Sequence, residues 1–259
     1  MKDINKKLLV SLLETPSPSG REYGVEKLVE GYCLAKGYEV EHAKGGLLIT
    51  KGKPPEGENY PCFAAHLDTV FDDRPFRVEE FVNSKCEPVF QGRKNGFRCG
   101  IGADDKAGVY ACLHLLDELP FCKAALFERE EIGFLGATEI TTHRLSWFED
   151  VAFVIEYDSP CSNRHTYTCS GKRINSDKTF IEAKDLLEEN GVTVHSNDPY
   201  TDVLALASAG IECFNLPIGY RDWHTDRETL NLTELAKGIE LGKKLFEKLG
   251  LETKRRFNR

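Results

Sequence analysis

Apolar positions along this chain follow two rhythms in alternation. Ile4, Leu8, Leu9, Leu12 and Leu13 recur on one face of a 3.6-residue period and predict a helix over 4–13, which Pro16 and Pro18 then break. A second helical pattern covers 21–36 and stops at Gly37. Residues 38–42 and 47–51 read as a hairpin across Gly45-Gly46. Cys62-Phe63-Ala64-Ala65 is small or apolar on both faces, which predicts a buried central strand running into His66-Leu67-Asp68. Residues 72–98 are the least legible. Alternation around Phe76–Val78 and Val89-Phe90, with a turn at Lys94-Asn95-Gly96, suggests a β-ribbon.

The second half continues the alternation. Helices are predicted over 106–119, 136–142, 176–190 (with Ser176 as N-cap) and 200–209, and strands over 124–127, 151–157, 167–169, 192–194 and 211–216. Asn231 and Glu234 resemble a capping box for a last helix that ends at Leu249. Strands that alternate with helices imply an α/β fold: a three-layer α/β/α arrangement with a mostly parallel, mixed central sheet. No repeat or linker divides the chain, so one domain over 1–259 is expected.

Composition narrows the function classes. The 259 residues are 41% hydrophobic and 29% charged, which is ordinary for a globular protein. A net charge of -8 argues against a general nucleic-acid binder, because phosphate backbones require a basic surface. No stretch approaches the ~20 apolar residues of a membrane span, and the apolar run in 1–14 is too short and broken for a signal peptide. The nine cysteines include no Cys-x-x-Cys pair, so they read as small buried side chains kept reduced, and a cytoplasmic location is expected.

The candidate chemistry centres on Gly102-Ala103-Asp104-Asp105-Lys106-Ala107-Gly108, where adjacent carboxylates precede a helix. Such a pair repels itself unless a cation lies beside it. Alone, the stretch is as well explained by an acidic first turn. However, His66, Glu130-Glu131, Asp158 and His224 also follow strands, and the ligand crevice of an open α/β sheet lies outside the carboxyl ends of its strands. Two imidazoles and at least three carboxylates are about what two divalent ions need. The alternative is a set of separate helix caps and surface charges. No Gly-x-Ser-x-Gly elbow is present, and Gly100-Ile101-Gly102 does not complete a dinucleotide fingerprint. His42, His114, His143, His165 and His195 have no partner motif and read as surface or packed residues.

His66-Leu67-Asp68-Thr69-Val70, the Gly102–Gly108 stretch, Glu130-Glu131-Ile132-Gly133 and His224-Thr225 together resemble the co-catalytic zinc exopeptidases, as does the loop Thr15–Gly20. That group includes peptidase T, the desuccinylase/carboxypeptidase G enzymes and the bacterial leucyl aminopeptidases. The resemblance runs from about residue 8 to 249. It implies that His66 and Asp158 hold one metal, Glu131 and His224 the other, and that Asp104 bridges both. It further implies that Asp68 orients His66, that Glu130 is the general base, and that the Asp104–Asp105 peptide is cis. The ions implied are two divalent metals, zinc first, with cobalt or manganese as alternatives.

Lidded members carry an extra domain between the last Asp ligand and the last His. Here only about 65 residues separate Asp158 from His224, and they already read as sheet and helix, so no lid or dimerisation domain is expected. Without a lid arginine to grip a C-terminal carboxylate, an aminopeptidase is favoured over an N-acyl amino acid deacylase or carboxypeptidase-type enzyme, or a catalytically silent relative. Asp202, Tyr220 and Arg221 are the candidate substrate-binding residues, with Asp202 and Asp222 placed on the rim to meet an α-ammonium. The partner expected is a peptide or N-acyl amino acid, with no nucleic acid or membrane involved.

Overall fold

The computed structural model describes residues 4–72, 76–159, 164–198 and 201–257, and of 164–167 and 194–198 the backbone. The elements in chain order are α1 (Lys6–Glu14), α2 (Tyr23–Ala35), β1 (Glu39–Ala43), β2 (Gly46–Lys51), β3 (Tyr60–His66), β4 (Arg77–Val82), β5 (Pro88–Lys94) and β6 (Phe97–Cys99). Then follow α3 (Ala103–Glu118), β7 (Cys122–Phe127), α4 (Leu135–His143), a short 3-10 turn (Leu145–Phe148), β8 (Val151–Ser159), β9 (Arg164–Cys169) and β10 (Lys172–Arg173). The last are α5 (Asp177–Glu189), β11 (Thr193–Asp198), α6 (Val203–Ser208), β12 (Cys213–Pro217), β13 (Tyr220–Arg221), β14 (Thr229–Asn231) and α7 (Leu232–Leu249).

The main sheet has nine strands, in the order β1-β2-β7-β3-β8-β12-β9-β10, with β11 also paired to β9. Its centre, β7-β3-β8-β12, is parallel, while β1, β2 and β10 are antiparallel additions. β3 and β8 are buried along their whole lengths, as a strand covered on both faces must be. Alternate residues of β3 feed opposite layers. Phe63 and Ala65 pack with α1, α2, α3, α5 and α7, whereas Cys62 and Ala64 pack with α4 and α6. The mixed three-layer α/β/α architecture expected from the sequence is therefore observed.

A second, five-stranded sheet is built from β13, β14, β5, β4 and β6. The β-ribbon over 72–98 is its greater part, and the two- and three-residue strands β13 and β14 complete it. Of the expected capping box only the N-cap half forms: Asn231 Oδ1 accepts from the backbone N–H of Thr233 and of Glu234, while the Asn231 N–H donates to the Gly219 carbonyl and Glu234 pairs with Arg221. Of the expected helix over 200–209, the helical turns are confined to Val203–Ser208, and Tyr200 lies outside the described residues.

Register decides which side chains meet at the top of the sheet. His66 at the end of β3 is level with Phe127 of β7, and Ala64 is level with Glu156 of β8. Two residues further along, His66 and Asp158 come side by side. Glu130-Glu131 follows β7 and Tyr220–His224 follows β12, so all four segments leave at the carboxyl ends of parallel strands. No helix among the described residues is long and apolar enough to cross a membrane.

Candidate metal centre

The fifth segment arrives at the start of α3. Asp104 (φ -79°, ψ 103°) and Asp105 (φ -119°, ψ 35°) are non-helical, and the peptide between them is cis. Regular helix begins only beyond Asp105. The buried Asp105 side chain acts as its cap, with Oδ1 accepting from Gly108 N–H at 3.1 Å and Oδ2 from His66 N–H at 3.2 Å. A Cβ on residue 108 would lie 2.4 Å from Asp105 Oδ1, so this position admits only glycine. Lys106, also buried, donates to the carbonyls of Leu13 and Thr15 and ties the turn to the end of α1.

Asp104 faces inward between two histidines. Its Oδ1 lies 3.0 Å from His66 Nε2, and its Oδ2 lies 3.2 Å from His224 Nε2. His66 Nε2 is 3.7 Å from Asp158 Oδ1, and His224 Nε2 is 3.0 Å from Glu131 Oε1. The His66 ring is fixed from behind, because Nδ1 donates to the Asp68 backbone carbonyl at 3.0 Å and leaves Nε2 to face the carboxylates. Asp158 is held twice: its backbone pairs with both ends of the Asn215 amide on β12, and its Oδ1 accepts from Tyr220 OH at 3.0 Å.

Two further carboxylates brace the backbone. Asp68 Oδ1 accepts from Glu130 N–H at 2.9 Å, and its Oδ2 accepts from Glu131 N–H at 3.2 Å and from Ser19 Oγ at 2.6 Å. Glu228, fully buried, accepts from the N–H groups of Ile101 at 2.8 Å, Gly102 at 2.7 Å and Asp104 at 3.1 Å.

So many ionisable groups in one dry place shift one another. Bonds to Asp104 and Glu131 push the His224 imidazole up to about 10. Burial works against a charged His66, yet its bonds to Asp104, Asp158 and Asp68 outweigh it and hold the ring well above its ordinary range. Burial would raise Asp104, but the two histidines pull it far below a usual carboxylate. Burial drives Glu130 up to about 9, helped by the charges of Asp158 and Glu131. Burial and Asp104 raise Asp158 to about 6.

The donor set fits divalent ions. His66, Asp104 and Glu131 bring ligand atoms within 4.8 Å of one another, and so do His66, Asp105 and Asp158. A tetrahedral ion with bonds of ~2.1 Å spaces its ligand atoms by roughly 3.4 Å, close to the 3.0–3.7 Å seen around the two imidazoles. Asp105 is the poorer donor of the adjacent pair, since both its oxygens already accept backbone N–H groups.

The sequence profile of peptidase family M28 matches residues 48–243, most of the chain. The chain belongs to peptidase family M28. Among curated protein sequences no significant match is found. The structure of this M28 chain superposes on that of the aminopeptidase PepT from Bacillus cereus with a TM-score of 0.76 at 16% identity, covering 95% of this chain and 99% of the other. A tripeptidase from Staphylococcus aureus gives a TM-score of 0.71 at 14% identity over 93% and 98% of the two chains. A TET aminopeptidase from a marine sediment thaumarchaeon gives 0.73 at 12% identity over 96% and 98%. At these identities the likeness is one of fold. The resemblance to the co-catalytic zinc exopeptidases is borne out by the family and the fold together.

Of the residues singled out in the sequence, His66, Asp68, Asp104, Glu131, Asp158 and His224 converge as described, with the Glu130 backbone held by Asp68. Of the two carboxylates expected on the rim, Asp222 is exposed and Asp202 is not. Asp202 is fully buried rather than on a rim loop. Both its oxygens lack a hydrogen-bond partner, and burial, with the charges of Glu156 and Glu130, raises it well above a usual carboxylate. It heads α6 without a side-chain cap bond. Tyr220 is spent on Asp158. Arg221 reaches Glu234 on α7 at 2.7 Å. His42, His114 and His143 sit beside Glu30, Glu118 and Glu139, away from the centre, and the side chains of His165 and His195 lie outside the described residues. Glu228 and Asp105 were missed as positioning groups, because accepting backbone N–H bonds leaves no motif in a sequence.

Proposed function

We propose that this M28 chain is a two-metal aminopeptidase whose single catalytic unit spans 1–259. The observation that carries this reading is the Asp104 carboxylate, with one oxygen toward His66 Nε2 and the other toward His224 Nε2. In this reading His66 and Asp158 hold one ion, Glu131 and His224 the second, and Asp104 is shared. Zinc suits this mixed nitrogen and oxygen set, with cobalt or manganese as substitutes. Bound there, such ions supply the positive charge that polarises an amide carbonyl and acidifies a water.

The remaining work falls to the protein. Glu130 takes the proton of the attacking water and returns it to the leaving amine, as a carboxyl made more basic by burial and by neighbouring carboxylates can do. Asp68 holds Glu130 and His66 in one frame, so base and ligand keep their spacing. Tyr220 keeps Asp158 turned toward His66.

A free α-amino end is favoured as the recognised terminus. Arg221, three residues before His224, reaches Glu234, and Arg129, next to Glu130, pairs with Glu128 at 3.6 Å, which leaves both poorly placed as a clamp for a C-terminal carboxylate. The similar folds that are described as aminopeptidases or a tripeptidase support the same choice.

Two matched peptides test it, one acetylated at its N-terminus and one amidated at its C-terminus, alongside the protein's metal content. Cleavage of the amidated peptide alone is expected. Cleavage of the acetylated peptide alone would establish a deacylase or carboxypeptidase instead, and a metal-replete protein inert on both would be a silent relative.

A further inference from the structure

Three successive backbone N–H groups, those of Arg129, Glu130 and Glu131, end on carboxylates from the N-terminal part of the chain. Glu130 and Glu131 reach Asp68 at 2.9 and 3.2 Å, and Arg129 reaches Glu22 Oε1 at 3.1 Å. The carbonyls of the same stretch are held by the turn that follows. Gly136 N–H donates to Glu128 at 2.9 Å, Leu135 N–H to Arg129 at 3.1 Å, and the N–H groups of Gly133 and Phe134 to Glu130 at 2.8 Å. No described residue donates to the Glu130 carboxylate itself. Its place is therefore set by its backbone, and that backbone by these anchors.

Glu22 is the unexpected anchor. It is the N-cap residue of α2, where a carboxylate ordinarily accepts the first N–H groups of its own helix. The Glu22 side chain makes no such cap bond. It turns back instead, and Oε1 accepts Gly20 N–H at 2.7 Å as well as Arg129 N–H. Glu22 is nearly fully buried, and a carboxylate withdrawn from water needs such bonds to offset its lost hydration. The loop before it is tied to the Asp68 segment, with Ser19 Oγ donating to Asp68 Oδ2 at 2.6 Å and Thr69 N–H to the Ser17 carbonyl at 2.9 Å. Residues 17–22 thus fix the Asp68 segment and Arg129 relative to each other.

Arg129 is the point in this stretch most in need of a hold. Its φ is 56°, in the left-handed region that a side chain with a Cβ enters only where surrounding contacts keep it there. Once its N–H is released, Arg129 is free to relax, and the next residue turns with it. We infer that Glu22 is a positioning residue for Glu130: by accepting the Arg129 N–H it holds the left-handed turn that aims the base. The inference rests on the aminopeptidase reading, with Glu130 as its base.

Glu22→Ala removes the acceptor, and Glu22→Gln keeps an oxygen in its place. In metal-loaded protein Glu22→Ala is expected to lower kcat about tenfold or more, with KM and metal content changed by less than about twofold, and Glu22→Gln to recover most of the loss. In the Glu130→Gln background the base is already gone. There Glu22→Ala is expected to lower kcat by less than about twofold further, whereas a merely structural role lowers it by the same factor in both backgrounds. Amide exchange followed by mass spectrometry reads the brace without catalysis. The peptide spanning Arg129–Glu131 is expected to exchange about tenfold faster or more in Glu22→Ala, with α7 at the wild-type rate. Where Glu22→Ala does not fold, Glu22→Asp, one methylene shorter, withdraws the carboxylate from Arg129 and takes its place in each measurement. An unchanged kcat, equal losses in the two backgrounds, no recovery in Glu22→Gln, or wild-type exchange at 129–131 overturns the inference. A metal-loaded wild-type protein that cleaves neither matched peptide overturns the aminopeptidase reading instead, and the exchange rate at 129–131 then decides whether Glu22 holds the turn.

Discussion

Asp68 and Glu130 are joined by a 2.9 Å hydrogen bond from the Glu130 backbone N–H to Asp68 Oδ1, 62 residues apart in sequence. The same aspartate receives Glu131 N–H and the Ser19 hydroxyl, and its own carbonyl fixes His66. One residue, through its side chain and its carbonyl, therefore sets the distance between the proposed base and one proposed metal ligand of each ion. Asp68→Asn keeps a single acceptor oxygen and places an amide N–H₂ where a second acceptor is needed. A loss of roughly 10–100-fold in kcat or metal affinity is expected, the usual range for a group that orients ligands. Steady-state kinetics at saturating metal checks this, and full activity with normal affinity would show that Asp68 does not position the pair.

Glu228 is the other brace. Removing it in Glu228→Ala leaves the buried N–H groups of Ile101, Gly102 and Asp104 without their acceptor, at roughly 1–3 kcal/mol for each such group. A large fall in melting temperature and weaker metal binding are expected together, because the loosened segment carries Asp104. Glu228→Gln retains one acceptor and should fall between the two. A Glu228→Ala protein with wild-type melting temperature would remove Glu228 from this role.

How much of this was legible depended on what each residue signals. The central strands were readable because Cys62–Ala65 is apolar on both faces, a pattern that only burial between two layers satisfies. The ligand segments were readable because imidazoles and carboxylates recur just past such strands. Glu228 was not, since its partners are backbone N–H groups more than 120 residues away and any carboxylate could serve. β13 and β14 were not, because two or three residues cannot display a period. Asp202 was placed on the rim for a different reason: a carboxyl suggests a wet site, whereas this one is fully buried, and burial with the charges of Glu156 and Glu130 raises it well above a usual carboxylate.

Glu130→Gln isolates the base from the metal. The amide keeps the shape of the side chain and leaves the backbone bond to Asp68 in place. Turnover is expected to fall by roughly 10²–10⁴-fold with metal content unchanged, the typical worth of a positioned proton-transfer group. Metal analysis on the same preparation separates this from ligand loss, and a fully active, metal-loaded Glu130→Gln protein would show that another group accepts the proton.

Metal binding should strengthen as pH rises, and the direction follows from the histidines. Bonds to Asp104 and Glu131 raise His224 to about 10, and His66 is likewise held well above its ordinary value, so near neutrality both rings carry protons in the metal-free protein. A ring must be neutral to ligate, so an incoming ion displaces those protons. Affinity measured against a competing chelator at pH 6, 7 and 8 should therefore rise by about tenfold or more per pH unit, with up to two protons released. His224→Gln should remove one proton from that slope. The metal-free protein should show the opposite trend. A histidine raised on folding stabilises fully below its unfolded value near 6.5, and that contribution disappears as pH climbs through about 10 for His224. Its melting temperature should thus decline across that window while the metal-loaded protein resists the decline. A chelator competition that gives the same affinity at all three pH values would mean that the two rings are not displaced from protons by metal, and the assignment of His66 and His224 as ligands would fail.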